Sequence, residues 1–309
     1  MSGGPSGGTA AGERGHAPAR AAVLGHPIGH SKSPALHGAA YAALGIELEY
    51  GRVDLTEEQL PAFIGRVRSE PGWRGLSVTM PLKSAIVPLV DRLEGRAAEL
   101  GVLNTVVVEH GPAGPVLVGY NTDVTGIVEA FRHAGCARAE SAAILGAGNT
   151  ALAAVAAVAE LGARQVAFLV RDPSRTGEAV GLAQRVGLRV TVEALAEAAP
   201  AAVGADVVVS TLPPRAADGF ADAVAALPVG AQMEHDGGAR VLLDVAYDPW
   251  PSRLAEAWKG RGGVVLHGLE MLVHQAVEQV VLFTGRTEAR SQHVTDVMCD
   301  SVGVPRRVA

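Results

Sequence analysis

The sequence predicts an α/β fold of two domains, and three observations support this prediction. Short β-branched runs alternate along the chain with longer segments of helical apolar period. The chain has 309 residues, 48% of them hydrophobic. This length is enough for two cores at about 150 residues per domain. A glycine-rich turn follows a buried strand in the second half, as in sheets that bind nucleotides at strand ends.

The first half of the chain supplies one series of elements. The predicted strands are 20–24, 47–53, 74–79, 104–109 and 115–118. The predicted helices are 34–44 and 57–68, with shorter helices around 83–100. Ser33-Pro34 is typical of a helix start, because a serine N-cap is often followed by proline. Residues 1–19 are rich in Gly, Ser and Pro without an apolar period, which predicts a disordered tail.

A second series of elements begins near residue 123. The predicted helices are 123–134, 149–161, 174–186 and 268–283. The predicted strands are 141–146, 165–170, 188–192, 206–210 and 241–245. The alternation favours a mostly parallel sheet. The predicted domains are 20–122, completed by the C-terminal helical region 268–309, and 123–267.

Composition argues against several function classes. The net charge is −6 without a basic stripe, so nucleic acid is not an expected partner. The sequence contains no apolar run of about 18 residues and no secretory pattern, so we expect a cytoplasmic protein without a membrane span. Cys136, Cys299 and the histidines show no metal-ligand spacing, so no metal is expected.

The glycine-rich turn at 144–151 reads Ile-Leu-Gly-Ala-Gly-Asn-Thr-Ala and fits G-x-G-x-x-A after a strand. The first glycine permits a tight turn, the second lets backbone amides approach a pyrophosphate, and alanine packs closely at the third position. This pattern predicts a Rossmann-like dinucleotide-binding domain. The predicted cofactor contacts of the turn are Gly146, Ala147, Gly148, Asn149, Thr150 and Ala151.

The end of the next strand bears on the choice of cofactor. Arg171 and Arg175 are suited to holding a 2′-phosphate through their guanidinium groups. Asp172 is open to two interpretations: it accepts a bond from a ribose hydroxyl, or it caps the helix that starts at Pro173. The sequence therefore favours NADP, with NAD as the alternative.

Polar side chains gather after the predicted strands of the first half. Ser31 and Ser33 flank a helix start and suit a carboxylate, although Ser33 alone is also a helix cap. Lys83 follows the carboxyl end of a strand, and Asp123 opens a helix, where in isolation it also serves as a cap. A Lys/Asp pair beside a nicotinamide site indicates alcohol–ketone redox chemistry.

The chain resembles the shikimate dehydrogenase family from about residue 20 to 285. The matching segments are Gly25-His-Pro-Ile-Gly-His-Ser-Lys-Ser-Pro34, Ser-Val-Thr-Met-Pro-Leu-Lys83, Leu103-Asn104-Thr105, Gly119-Tyr-Asn-Thr-Asp123, the Gly146 turn, Leu243-Asp-Val-Ala-Tyr-Asp-Pro249 and Gly268-Leu-Glu-Met-Leu-Val-His-Gln275. The chain departs from the family pattern at Ser77, usually Asn, and at Asn149-Thr150, where small residues are usual.

The resemblance implies a two-domain α/β enzyme that interconverts 3-dehydroshikimate and shikimate with NADP(H). The first domain would bind the substrate and the second the cofactor. The implied roles are catalysis for Lys83 and Asp123; substrate binding for Ser31, Ser33, Ser77, Thr79, Asn104, Tyr247 and Gln275; and cofactor binding for Arg171 and Arg175 beside the glycine turn, with Thr211 and Gly268 as further contacts. The expected oligomeric state is a monomer or a homodimer.

Three rival functions remain open. A quinate/shikimate or aminoshikimate dehydrogenase of the same family, with NAD as a possible cofactor, would share most of these motifs. A non-catalytic nucleotide-sensing protein would have no need of both Lys83 and Asp123. A tetrahydrofolate-linked dehydrogenase also joins two α/β domains, but it is disfavoured by the pair of serines suited to a carboxylate.

Overall fold

The structure is a computed structural model that describes residues 18–112, 114–228, 234–235 and 238–306. Within these ranges the chain forms two six-stranded sheets and one two-stranded hairpin. The disordered tail predicted at 1–19 lies outside the described residues, apart from 18 and 19.

The first sheet has the strand order β2-β1-β3-β5-β6-β4. Its strands are β1 (Arg20–Gly25), β2 (Glu49–Asp54), β3 (Trp73–Val78), β4 (Arg92–Leu93), β5 (Thr105–Gly111) and β6 (Gly114–Tyr120). Strand β5 runs antiparallel to both β3 and β6, so this sheet is mixed rather than mostly parallel. The reason is the short connection between β5 and β6, which suits a hairpin and is too short for a parallel crossover.

The second sheet is parallel throughout, with the strand order β14-β13-β10-β7-β8-β9. Its strands, with the separate hairpin β11–β12, are β7 (Ser141–Leu145), β8 (Gln165–Val170), β9 (Arg189–Ala194), β10 (Val207–Ser210), β11 (Glu234–His235), β12 (Gly238–Ala239), β13 (Val241–Asp244) and β14 (Val264–His267). This is the doubly wound order of dinucleotide-binding domains, with its switch point between β7 and β10. The predicted α/β fold with a Rossmann-like second half is confirmed.

Helices cover the sheets. They are α1 (Ser33–Leu44), α2 (Leu60–Ser69), α3 (Leu82–Ala85), α4 (Arg96–Leu100), α5 (Asp123–His133), α6 (Asn149–Glu160), α7 (Gly177–Arg185), α8 (Ala199–Gly204), α9 (Asp218–Ala226), α10 (Arg253–Gly260), α11 (Gly268–Thr284) and α12 (Gln292–Val302). Within the described ranges, none of the helices is both long and apolar enough to cross a bilayer.

Several elements differ from the sequence-based expectations. Helices α8, α9, α10 and α12 were not predicted individually, because they are short or lie in segments with strong turn signals. The helix predicted at 174–186 is a 3₁₀ turn followed by α7. Ser33 is the first residue of α1 and not its cap, since Lys32 occupies the cap position.

Two helices carry the chain between the sheets. Helix α5 leads from β6 to β7, and α11 begins directly after β14 and returns to pack against α1 and α5. The approach of α5 to α11 requires Gly126, because a Cβ there would lie 2.8 Å from the Met271 carbonyl oxygen. The two crossings therefore lie side by side between the sheets.

The α5–α11 interface also holds a titratable pair. The rings of His133 and His274 are 4.4 Å apart. Burial, and secondarily the neighbouring His133, lower the pKa of His274 from 6.5 to about 3. Between about pH 3 and pH 6.5, His274 is therefore protonated in the unfolded chain and neutral in the folded chain. Stability from this group is complete above pH 6.5 and is lost as the pH falls below it.

We expect His274→Gln to reduce the acid sensitivity of the fold. Between pH 7.5 and 5.0, the wild-type free energy of unfolding should fall by about 2 kcal/mol more than that of the variant. Urea unfolding at both pH values measures the difference. The exposed His293 provides the matched control, since His293→Gln should leave the wild-type loss unchanged. An equal loss in His274→Gln and wild type would contradict the assignment.

Candidate active site

A cleft opens where the strand ends of the first sheet face α11 and the glycine turn of the second sheet. Its polar lining comes from both halves of the chain, and its apolar walls are valine, methionine and leucine side chains. The lining residues are Val23, Ser33, Ser77, Val78, Thr79, Lys83, Asn104, Asp123, Thr150, Val245, Tyr247, Gly268, Met271, Leu272, Gln275 and Gln279. The cleft thus brings together the predicted catalytic pair, six of the seven predicted substrate contacts, and two predicted cofactor contacts.

Lys83 and Asp123 form an ion pair in this cleft. Lys83 lies in the short helix α3 just after β3, where the fully buried Leu82 anchors the turn. Asp123 is the first residue of α5. The Lys83 ammonium group donates to Asp123 Oδ2, and the two side chains are 14% and 7% exposed. This arrangement places a proton donor within the cleft, oriented by the carboxylate beside it.

Asn104 fixes the second carboxylate oxygen of Asp123. Its Nδ2 donates to Asp123 Oδ1 at 2.8 Å, and its Oδ1 accepts from the backbone N–H of Thr122 at 2.8 Å. The backbone donor defines which end of the amide is oxygen. Gln275 Oε1 lies 3.2 Å from Asn104 Nδ2. The carboxylate is therefore held from both sides, by Lys83 and by Asn104.

A buried polar cluster lies behind the cleft. Gln279 Oε1 accepts from Ser77 Oγ at 2.8 Å and contacts His37 Nε2 at 3.2 Å. The Tyr50 hydroxyl donates to Ser77 Oγ at 2.6 Å, and the Tyr50 ring stacks on His37 with centroids 3.8 Å apart. Burial lowers the pKa of His37 to about 3, so its ring is neutral. Thr105 links this cluster to Asn104 by donating to its Oδ1 at 2.8 Å.

Sequence reasoning missed Gln279 and the apolar wall residue Met271. Gln279 follows Gln275 by four residues on α11, so both project from the same face of the helix. That spacing was a usable signal. Met271 carried none, because an apolar residue on a helix that is apolar on most sides predicts only burial.

Ser31 differs from the other predicted substrate contacts, because it does not line the cleft. Its hydroxyl accepts from the backbone N–H of Ser33 at 3.3 Å, and its carbonyl oxygen accepts from the Arg52 guanidinium group at 2.7 Å. Ser31 therefore shapes the turn that presents Ser33 to the cleft.

The glycine turn has the backbone that a pyrophosphate site requires. Gly146 has φ +100°, and a Cβ there would lie 2.6 Å from Thr211 Oγ1. Thr211 is held in turn by donating to the Leu145 carbonyl oxygen at 2.7 Å. Gly148 precedes α6, and a Cβ on this glycine would meet no atom of the rest of the protein within 4 Å. The first N–H groups of α6 face this open space without a side-chain cap.

The rest of the turn serves packing and contact with the first sheet. Ala147 is half-buried and Ala151 is fully buried under α6. Asn149 Nδ2 donates to Ser84 Oγ at 2.8 Å, which ties the turn to α3 beside Lys83. Thr150 lines the cleft itself. The glycine turn and the helix that carries Lys83 are therefore in direct contact.

Asp172, at the end of β8, acts as a cap, which is one of the two roles that the sequence left open for it. Its carboxylate accepts from the backbone N–H of Ser174 at 3.0 Å and from the Ser174 hydroxyl at 2.6 Å. These bonds lower the pKa of Asp172 and identify it as the cap of the following turn. Arg171 and Arg175 are both exposed beside it. One oxygen of the carboxylate is thus engaged locally, while two cationic side chains stay accessible.

A metal centre finds no support in the described part of the chain. Its histidine, cysteine and carboxylate side chains nowhere form a cluster of three that could hold a metal ion.

Comparisons with known proteins show similarity to shikimate dehydrogenases. Residues 23–106 match the model of the shikimate dehydrogenase substrate binding domain, and residues 268–289 match the model of the shikimate 5'-dehydrogenase C-terminal domain. The shikimate dehydrogenase (NADP(+)) of Rubrobacter xylanophilus is 37% identical over 270 residues, which span 85% of this chain and 89% of that protein.

Solved structures agree with the sequence comparison. A shikimate 5-dehydrogenase from Mycobacterium fortuitum superimposes with a TM-score of 0.75 at 40% identity, covering 92% of this chain and 97% of that one. A shikimate 5-dehydrogenase from Thermus thermophilus, crystallised with NADP(H) and shikimate, gives a TM-score of 0.71 at 31% identity, covering 92% and 99%. The resemblance inferred from the motifs is confirmed.

Proposed function

The chain belongs to the shikimate dehydrogenase family, and we propose that it catalyses the reversible NADPH-dependent reduction of 3-dehydroshikimate to shikimate. The observation that carries this proposal is the buried Lys83–Asp123 pair, which lies in the cleft beside the glycine turn. The pair provides a proton for an oxygen atom, and the turn provides a place for a dinucleotide. A ketone reduction needs both within one cleft.

The proposed mechanism assigns the proton steps to the pair. The bound nicotinamide supplies the hydride chemistry. As the substrate carbonyl becomes an alkoxide, Lys83 Nζ gives a proton to that oxygen and is reprotonated from solvent. Asp123 keeps the ammonium group aimed at the substrate, and Asn104 keeps Asp123 in place. In the reverse direction Lys83 Nζ takes the hydroxyl proton.

The substrate carboxylate and ring hydroxyls would meet the remaining polar lining. We propose that Ser33 binds the carboxylate, with Ser31 acting through the turn that presents it. The proposed ring contacts are Ser77, Thr79, Asn104, Tyr247 and Gln275, all of which line the cleft. Several hydroxyl and amide groups around one small cavity suit a polyhydroxylated acid.

The proposed division of labour follows the two sheets. Residues 20–122 with 268–309 would bind the substrate, and residues 123–267 would bind NADP(H). The proposed enzyme is cytoplasmic and works on small molecules without nucleic acid or membrane, as a monomer or a homodimer. Sedimentation equilibrium distinguishes the two oligomeric states.

NADP fits the residues at the dinucleotide turn. Gly148 leaves open space at the start of α6, where backbone N–H groups suit a pyrophosphate. Arg171 and Arg175 would hold the 2′-phosphate, while Asp172 caps the following turn through its Oδ1 atom. Thr211, which follows β10 at the switch point, and Gly268, which lines the cleft, would support the nicotinamide half.

We expect the Arg171→Ser/Arg175→Ser double variant to lose its preference for NADPH. Each arginine makes a charge-assisted contact, so the KM for NADPH should rise by about a hundredfold, and the KM for NADH should change little. Steady-state kinetics with both cofactors measure this change. Arg189→Ser, at an exposed arginine on β9, is the matched control. An equal rise in both KM values would contradict the 2′-phosphate assignment.

Initial rates with shikimate and quinate, each with NADP and NAD, test the proposed function. We expect shikimate with NADP to give the highest kcat/KM of the four combinations. A higher value for quinate, or for NAD, would favour the related quinate/shikimate activity instead. Absence of turnover in all four combinations, with cofactor binding intact, would favour a nucleotide-sensing protein.

A further inference from the structure

The Gln279 side chain lies at the cleft and contacts residues of the first sheet. The side chain is 1% exposed and yet lines the cleft at its base. Its nitrogen atom donates to Thr105 Oγ1 at 2.9 Å and points toward the Asn104 carbonyl oxygen at 3.4 Å. A backbone carbonyl can only accept, so the amide atom facing it must be nitrogen. The backbone therefore fixes the orientation of the Gln279 amide.

This orientation determines the direction of the next hydrogen bonds. Gln279 Oε1 can only accept, so both groups that face it must donate. His37 gives its Nε2 proton and retains a bare Nδ1, which accepts from the Tyr41 hydroxyl at 3.0 Å. Ser77 gives its only hydroxyl proton, at 2.8 Å.

Ser77 then has no proton left for a ligand. Its oxygen already accepts one hydrogen bond, from the Tyr50 hydroxyl at 2.6 Å. One lone pair of this oxygen remains, and Ser77 is one of the residues that line the cleft. The group that meets Ser77 must therefore be a donor, such as an alcohol, because a carboxylate or a ketone oxygen would face an oxygen without a proton.

We propose that Gln279 is a specificity-determining residue, which makes Ser77 a pure hydrogen-bond acceptor and so selects a hydroxyl group on the substrate ring at that position. This inference rests on the proposed function, since it concerns how the same cleft orients a hydroxylated ring acid. It assigns a role to a residue that does not itself carry out the reaction.

The preference for shikimate over fluorinated analogues tests the inference, because fluorine in place of a hydroxyl can accept a hydrogen bond but cannot donate one. Shikimate, 4-deoxy-4-fluoroshikimate and 5-deoxy-5-fluoroshikimate are compared by kcat/KM with NADP for the wild type and for Gln279→Leu. In the wild type, the analogue with fluorine facing Ser77 should be disfavoured at least tenfold, because neither atom of that contact carries a proton. In Gln279→Leu this preference should fall at least fivefold, since Ser77 regains a free proton. The preference against the other analogue should not change.

Two further variants sharpen the comparison. Ser77→Ala removes the acceptor and should lose the same preference, which decides the matter if Gln279→Leu does not fold. Tyr50→Phe removes the bond from Tyr50 but leaves the Ser77 proton on Gln279, so it should keep the preference.

A purely structural role for Gln279 would lower kcat/KM for all three compounds by the same factor, which would overturn the inference. Retention of the preference in Ser77→Ala, or its loss in Tyr50→Phe, would overturn it as well. Failure of the proposed function is distinguishable, because the wild type would then not oxidise shikimate at all.

Discussion

Replacing Lys83 by methionine is expected to lower kcat by about a thousandfold, because a positioned proton donor contributes about 10²–10⁴ to such a rate. Methionine keeps much of the length of the side chain but cannot give a proton to the substrate oxygen. It also leaves the Asp123 carboxylate, 7% exposed, without its cation. The reduction of 3-dehydroshikimate, followed by NADPH absorbance at saturating concentrations, measures the change.

Two controls separate chemistry from folding in the Lys83 experiment. The fluorescence titration of NADPH should give a wild-type Kd, because the glycine turn does not depend on the Lys83 charge. Lys259→Met changes an exposed lysine on α10 and should leave kcat as it is. A Lys83→Met protein that turns over within fivefold of the wild type would remove Lys83 from the mechanism.

Alanine at Gly146 and alanine at Gly148 are expected to impair cofactor binding for different reasons. At Gly146 the backbone has φ +100°, and a Cβ would lie 2.6 Å from Thr211 Oγ1. We expect Gly146→Ala to cost about 2 kcal/mol of stability through backbone strain, and to raise the KM for NADPH. At Gly148 a Cβ meets no protein atom within 4 Å. Gly148→Ala should therefore fold normally, yet raise the KM for NADPH at least tenfold, because the methyl group fills the space of the pyrophosphate.

Urea unfolding and steady-state kinetics on the same preparations distinguish the two glycines. Gly260→Ala, at the end of α10 with open space around it, is the control that should leave the KM for NADPH unchanged without lowering stability. If Gly148→Ala kept wild-type cofactor kinetics, the dinucleotide would have to bind elsewhere.

The fold was largely predictable because the strands of the second half are short, β-branched and bounded by turn residues. No single segment predicts the strand order β14-β13-β10-β7-β8-β9. The order follows from the glycine turn after β7 together with the right-handed crossovers of parallel strands. The mixed character of the first sheet was harder to foresee. It depends on the tight connection between β5 and β6, which an alternation of strands and helices does not reveal.

The candidate site was predictable where the motif and the geometry coincide. Lys83 and Asp123 follow the carboxyl ends of β3 and β6, which meet at one edge of the sheet. Asn104 precedes β5 and reaches the same edge because β5 is antiparallel. The hydrogen-bonding role of Ser77 was not predictable, because it depends on the amide of Gln279 on α11, which is 202 residues away in the chain. The role of Asp172 was likewise ambiguous until its hydrogen bonds with Ser174 were seen.

The two crossings between the sheets have a consequence for motion. Asp123 opens the first crossing helix and Gly268 opens the second, and both residues border the cleft. If one sheet rotated against the other, the two neighbouring crossings would act as the hinge. The mouth of the cleft would widen to release a nucleotide, while the atoms nearest the axis, including the carboxylate of Asp123, would travel least. Such a rotation would let ligands exchange while Asp123, a proposed catalytic residue, moves little.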